Sequence, residues 1–543
     1  MGLSPHGDAA VNTPSSPPPP TLIGCGSAAE PALIPTPALI GFKAHNLARM
    51  AALGLPVPPA FVLGTAWCEQ AASLTPAVWQ APLAALSHST GLGLGDARRP
   101  LLLSVRSGAP VSMPGMMETL LNIGLCEATV PGLLRQTGNP RMVWDAYRRL
   151  VAGYGEVVLG LEAALFEADL QSIAAGQDER ALDFIQLRAL TRAHLATVQR
   201  AKGQPFPQDP QVQLEAAIRA VFDSWQAPKA RDYRRLKQLD DTMGTAVTVQ
   251  RMVFGNAGGT SGAGVGFTRH PSTGERAPWV DFLFNAQGED VVSGRRSARG
   301  HDELAEVAPT VWAELLDATH RLEAEFRDMQ DFEFTVENGR LYLLQTRNGK
   351  RTTQATARIA LDLHDEGLIS REEAIHRTVG LDAGSLSLSR VVAASDGQPL
   401  QALAQAVSAA HGVASGEIAL DEARTQARQA VGVSVLLVRS EAETRDIVAL
   451  DIAQGLLTAR GARTSHAAVV ARQLGKVCLV GCDSLQIDLA QRRVRLGELS
   501  LDEGEVLTLD GNTGAVYRGA VRTVSEAPQA LLLRLAELRT QRA

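Results

Sequence analysis

The amino-acid sequence predicts a multidomain protein of α+β and α/β class, and three observations carry that prediction. Its 543 residues exceed what one ordinary hydrophobic core organises. Helical and strand patterns alternate over residues 38–351 around one long helical stretch, as in an α+β domain with an insertion. A second run of short apolar strands and helical segments occupies residues 391–525.

Residues 1–37 contain Ser-Ser-Pro-Pro-Pro-Pro and few large apolar side chains, which predicts a disordered, Pro-rich N-terminal extension. From Ala38 the segment GFKAHNLARMAALG reads as a helix with a glycine stop, and PPAFVLGT as the strand after it. The apolar run LLLSVR at 101–106 is a second strand, leading into a loop rich in glycine and methionine. A helical insertion follows over about 130–239, broken by the turn-rich KGQPFPQDP, and strand signals resume at 246–254 and continue in pieces to Leu344. Residues 352–390 read as a helical connector in which SREE at 370–373 has the form of a capping box. In the 391–525 domain, strands are expected at 434–438, 455–458, 477–480 and 505–509, and residues 526–543 form a terminal helix.

A net charge of -6 and a pI near 6.0 supply no overall basic field for nucleic acid. No run of 18 apolar residues exists to span a membrane, and the N-terminus lacks the basic and apolar regions of a secretory signal. The cysteines, at 25, 68, 126, 478 and 482, are odd in number and lack a paired metal spacing. The last two sit in the apolar run VCLVGC, so a reduced, cytoplasmic protein is expected.

Several segments carry chemistry. In ARGARTSHAAVVARQLG, at 459–475, His466 stands at the mouth of a short helix that Thr464 or Ser465 can cap and Gly475 can end. A phosphorylated imidazole there would lie against open N–H groups and the positive end of the helix dipole; equally, a capped surface helix can hold an incidental histidine. Lys43 projects near the start of the first helix, where a lysine is ordinarily solvated. Arg106 ends a buried strand, and Gly108 and Gly115 after it let backbone amides approach an anion; Met113, Met116 and Met117 could instead form a hydrophobic plug. The stretch MVFGNAGGTSGAGVGFTRHPSTGE, at 252–275, holds seven glycines that could fold over a polyphosphate or form a ligand-free hairpin.

The segment QDFEFTVENGRLYLLQTRNGKR is the most specific. Alternation puts Asp331 and Glu333 on one strand face and Phe332 and Phe334 on the other, with the turn at Asn338-Gly339. A two-residue loop pairs Glu333 with Leu344 and turns Gln345 away. A three-residue loop with Gly339 in a left-handed bulge pairs Asp331 with Gln345 and brings Asp331, Glu333, Gln345 and Arg347 together, so the bulged loop is expected. Two carboxylates and an amide suit magnesium held against nucleotide phosphates, and an arginine suits the phosphate itself.

The segment around His466 resembles the phosphohistidine motif of the pyruvate, phosphate dikinase and phosphoenolpyruvate synthase group, usually ARGGxTSHAAVVAR, with Ala462 in place of its second glycine. In the same order as the dikinase come GFKAHNLARMAALGLPVPP, SVRSGAPVSMPGMM, the glycine-rich stretch, NAQGEDVVSG and QTRNGKRT, and the last favours the dikinase over the synthase. The resemblance runs from about Leu39 to Cys482. It implies an ATP-grasp-like nucleotide domain with a helical insertion, followed by a swivelling phosphohistidine domain, with the connector at 352–390 as the swivel. It implies that His466 carries phosphate and that Lys43, Arg106, Gly115, Glu333, Gln345 and Arg347 bind ATP. Asp331, Glu333 and Gln345 would hold Mg²⁺, and Asp281 stands where the family usually has glutamate. Thr464 is implied as a possible regulatory site, or it serves only as a cap.

The family's pyruvate- and phosphoenolpyruvate-binding barrel has no counterpart in residues 526–543. The expectation is therefore an ATP- and orthophosphate-dependent phosphorylation of His466, with onward transfer to pyruvate on a separate barrel protein. A homodimer is possible. The alternatives are a noncatalytic ATP-binding sensor or scaffold, motivated by Ala462 and Arg463, and an ATP-dependent kinase for another acceptor.

Overall fold

A computed structural model describes residues 17–26, 33–111, 113, 116–292, 301–392, 400–442, 446–461, 463 and 466–540. The chain forms two compact units, Met1–Ala48 with Pro59–Met252, and Arg49–Pro58 with Val253–Ala543. The division falls inside the stretch 38–351 that reads in sequence as one nucleotide domain.

In the first unit, β1 (Thr21–Ile23), β2 (Ala60–Leu63), β3 (Leu103–Gly108), β4 (Thr119–Ile123) and β5 (Ala246–Arg251) form an antiparallel sheet in the order β1-β2-β5-β3-β4. Helices from Val130–Thr137 to Pro228–Lys237 fill the interval between β4 and β5. β1 corrects the expectation of disorder across 1–37. Thr21 pairs with Val62 and Ile23 with Ala60, and Ile23 is only 1% exposed, because two apolar side chains cover an edge that β2 would otherwise leave open.

In the second unit, β6 (Gly262–Phe267), β7 (Trp279–Phe284), β8 (Gln330–Glu337) and β9 (Arg340–Asn348) form an antiparallel sheet in the order β7-β6-β8-β9. Three of the seven glycines are explained by its apolar face. A Cβ on Gly264 would come within 2.3 Å of the Phe334 ring, one on Gly266 within 2.8 Å of Phe332, and one on Gly262 within 2.1 Å of Phe282. These glycines admit aromatic rings into a strand and are not part of a phosphate-cradling loop.

The helix Thr353–Asp365, the first part of the connector, shares a core with Phe267, Met329 and the terminal helix Gln529–Thr540. Fully buried Arg269 fastens it to the sheet, donating to Glu323 at 2.9 Å and to Glu366 at 2.9 Å. The C-terminal α/β domain carries an eight-stranded sheet in the order Ala404–Gln405, Ala515–Arg518, Val506–Asp510, Val413–Ala419, Val435–Arg439, Gly455–Thr458, Val477–Val480, Val407–Ala410. Its four consecutive members from Val413–Ala419 to Val477–Val480 run parallel, and separate apolar clusters pack against the sheet. The five cysteines are free, and burial pushes the Cys478 thiol up to about 12, which keeps it protonated.

Candidate functional site

In the first unit the close approach of α1 (Pro37–Ala52) to the end of β3 positions Lys43. Gly41 interrupts the helix at φ 77 and ψ 156, and the Phe42 N–H donates to the Ala109 carbonyl at 2.9 Å. A Cβ on Gly41 would sit 1.8 Å from the Gly108 oxygen, so only glycine lets the chains meet. The Lys43 Cβ lies 3.9 Å from where Gly108 would carry one. Arg106, half-buried in β3 between Thr119 and Thr248, is two residues from that contact. Two predicted phosphate-binding cations thus share one strand end; Gly115 lies outside the described residues. Gly41→Ala combines a glycine-only conformation, worth about 1–3 kcal/mol, with overpacking worth about 1–3 kcal/mol. It should lower the first thermal transition by several degrees, and a melting curve identical to wild type would dismiss the close approach.

In the second unit the strand register builds the site. Directly opposed residues share a face, so Trp279, Phe267, Asp331 and Arg347 form one row across β7, β6, β8 and β9. Asp281, Val265, Glu333 and Gln345 form the next row on the same face. The expected convergence of Asp331, Glu333, Gln345 and Arg347 occurs, by a different turn. The loop has two residues, Asn338 and Gly339, at φ 51 and φ 75, and Glu337 pairs with Arg340. The Asn-Gly pair takes the mirror-image turn that matches strand twist, and the extra residue sits inside β9 instead. Register shifts between Glu333 and Phe334, leaving Leu344 unmatched, so Glu333 faces Gln345 and Asp331 faces Arg347 rather than Gln345.

Arg347 Nε donates to Asp331 Oδ2 at 2.8 Å. Burial raises the Asp331 carboxyl above its ordinary value; Arg347 opposes the rise and Glu333 adds to it. Burial also works against the Arg347 charge, and the carboxylates of Asp331 and Glu333 more than offset it. Among the described residues no three His, Cys, Asp or Glu side chains group as a metal site. The donor set here is two carboxylates and one amide oxygen, hard ligands that complete a coordination shell beside a ligand's own oxygens.

His466 opens the helix His466–Gln473, whose exit is closed by Gly475 at φ 66 and by the Lys476 N–H donating to the Ala471 carbonyl at 2.9 Å. Thr464, Ser465 and Ala462 lie outside the described residues. Arg463, between Ala462 and Thr464, reaches the row that holds the carboxylates. Its Nε donates to Asp281 Oδ1 at 2.6 Å, its Nη2 to the Val280 carbonyl at 3.1 Å, and its guanidinium lies 4.1 Å from the Trp279 ring centre. Arg472, near the other end of the helix, stacks 5.3 Å from Phe267 and 5.4 Å from Trp279. It donates to the Ala409 carbonyl at 2.8 Å and the Arg463 carbonyl at 3.1 Å. Burial pushes Arg472 down to about 10, so it remains a cation at neutral pH, within the field of Asp331 and Asp281. The helix that His466 opens is therefore held on the sheet face bearing Asp331, Glu333, Gln345 and Arg347.

Arg472, Trp279 and the partnership of Arg463 with Asp281 were not foreseen. The alternation in WVDF puts Trp279 and Asp281 on one face, but their cationic partners lie about 180 residues further along, beyond the reach of any periodicity.

Residues 73–314 and 301–368 match the family described as "Pyruvate phosphate dikinase, AMP/ATP-binding domain". Those matches take in more than half of the chain. The chain belongs to the pyruvate, phosphate dikinase family. Residues 433–514, which include the helix opened by His466, match "PEP-utilising enzyme, mobile domain". Among its relatives, pyruvate, phosphate dikinase 2 of Zea mays is 43% identical over 493 residues, 89% of this chain and 55% of that protein. Pyruvate, phosphate dikinase of Clostridium symbiosum is 41% identical over 502 residues, covering 89% and 57%. The chloroplastic pyruvate, phosphate dikinase 1 of Arabidopsis thaliana is 41% identical over 491 residues, covering 89% and 51%. The chain thus spans about half the length of the curated relatives it matches. Among the described residues no helix is long and apolar enough to cross a membrane.

Proposed function

We propose that this chain carries out the nucleotide half of a pyruvate, phosphate dikinase reaction, phosphorylating its own His466 from ATP in the presence of orthophosphate. An imidazole nitrogen of His466 attacks the β-phosphorus of ATP; the bond from that phosphorus to the α-bridging oxygen breaks and AMP leaves. The γ-phosphoryl group passes to orthophosphate, giving pyrophosphate. Histidine suits the carrier role because its neutral nitrogen is nucleophilic near neutral pH and its phosphoramidate can be handed on.

The observation that carries this reading is the seating of the helix His466–Gln473, through Arg463 and Arg472, on the face that bears the carboxylates. On that face Asp331, Glu333 and Gln345 would hold Mg²⁺, which neutralises phosphate charge when bound, and Arg347 orients the Asp331 carboxylate. Within the first unit, Lys43 and Arg106 would each be able to bind a nucleotide phosphate. Onward transfer to pyruvate would need a pyruvate-binding barrel, for which residues 526–543 are too short. The free cysteines suit a reducing compartment such as the cytoplasm.

Incubated with Mg²⁺, orthophosphate and ATP labelled in the β-phosphate, the protein should acquire acid-labile label, and ATP labelled in the γ-phosphate should leave none. Absence of β-label from protein shown to bind ATP would sink the reading and favour a noncatalytic nucleotide sensor. Pyruvate added to the labelled chain alone should leave the label in place. Discharge by pyruvate would show that these residues complete the transfer themselves.

A further inference from the structure

The surface on which the helix His466–Gln473 is seated also brings two histidine rings together, and neither is used by the proposed chemistry. His270 lies in the turn between β6 and β7, with its ring centre 5.4 Å from that of Trp279 and 5.7 Å from that of His411. His411 lies between the strands Val407–Ala410 and Val413–Ala419 of the C-terminal domain.

The local turn requires a neutral His270. Its Nδ1 is met by the N–H groups of Ser272 at 3.2 Å and Thr273 at 3.3 Å, which can only donate. Nδ1 must therefore present a lone pair, and a proton added there would confront two donors. Among the described residues, the charged groups that act on the ring from packed elements are cationic: Arg463 leading into the helix, Arg472 within it, and His411 itself when protonated. Burial and these three groups push His270 down to about 4. His411 is lowered by burial and by Arg472, against the opposing carboxylates of Asp510 and Glu275, and its buried Nδ1 has no hydrogen-bond partner among the described residues.

We propose that His270 and His411 form an acid-release switch, which keeps the C-terminal domain docked on β6 and β7 while both rings are neutral and frees it when either is protonated. Undocking returns His270 to water, away from His411, Arg463 and Arg472. The docked state thus has the lowered pKa and the undocked state a value near the ordinary 6.5. The sign follows from linkage: docking is undiminished above the ordinary value and weakens as pH falls from there toward about 4. Between about pH 7.5 and about pH 5.5, His270 alone should reduce the docking constant about tenfold.

The test needs neither ATP nor phosphorylation, so its failure is separate from that of the proposed function. Fluorophores are attached through Val307→Cys and Val431→Cys, at positions 52% and 66% exposed on either side of the contact, in full-length protein carrying Cys25→Ser and Cys68→Ser. Single-molecule energy transfer then reads docked and undocked populations. The docked-to-undocked ratio should fall by more than about tenfold from about pH 7.5 to about pH 5.5 and recover on return. His270→Asn keeps an acceptor for the Ser272 and Thr273 N–H groups and cannot take up a proton in this range; combined with His411→Gln it should hold the change below about twofold. His411→Gln alone, which disturbs no turn hydrogen bond, should reduce the wild-type response. A wild-type ratio independent of pH, or an undiminished fall in the histidine-free protein, would overturn the proposal.

Discussion

His466→Asn should eliminate acid-labile β-label, a loss of at least about 10³-fold, while ATP affinity should stay within about twofold of wild type. Asparagine retains a neutral polar side chain of similar reach but has no nitrogen lone pair able to attack phosphorus. The predicted ATP ligands lie elsewhere: Lys43 and Arg106 on α1 and β3, and Asp331, Glu333, Gln345 and Arg347 on β8 and β9. Nucleotide binding and labelling therefore separate in this variant, and calorimetry with ATP beside autoradiography measures both. Label persisting at an acid-labile site would show that another residue is the acceptor.

Arg463→Met should slow labelling by at least about 10²-fold without weakening ATP binding. Asp281 is 0% exposed, and Arg463 is the cation that holds its Oδ1. Methionine keeps apolar contact with Trp279 but leaves a buried carboxylate without this partner. Breaking such a pair from one side costs about 3–5 kcal/mol. The penalty falls on the docked arrangement, because an undocked Asp281 can be hydrated. Asp281→Asn in the Arg463→Met background removes the stranded charge and should recover most of the rate, a coupling that two independent structural lesions would not show. Single-turnover labelling of the four proteins, with ATP affinity measured alongside, completes the cycle; additive losses would mean that Arg463 acts other than through Asp281.

The features most legible in the sequence are those that depend on near neighbours. Alternation in QDFEFTVE separated carboxylates from phenylalanines, and the same partition is seen in β8. Asn-Gly marked the turn between β8 and β9 correctly, yet its two-residue form and the bulge at Leu344 were exchanged for a longer loop. Both routes insert one residue and bring the same four side chains together, so side-chain convergence alone could not choose between them. Glycines 262, 264 and 266 invited a phosphate-loop reading because composition cannot say what occupies the space left by an absent Cβ. Residues 21–23 read as tail because three residues carry too little pattern to reveal an edge strand.

By itself, the sequence determined the succession of helices and strands, family membership through motifs in order, and the candidate carrier and phosphate-binding residues. Each rests on side-chain type at short spacing, where periodicity and local chemistry suffice. Only the tertiary structure decided that Arg463 meets Asp281, that Arg472 is stacked between the helix opened by His466 and the β6–β7 face, and that His270 faces His411. Such contacts depend on how separately folded surfaces are juxtaposed, and two residues some 140 to 200 positions apart leave no periodic trace of each other in a single chain.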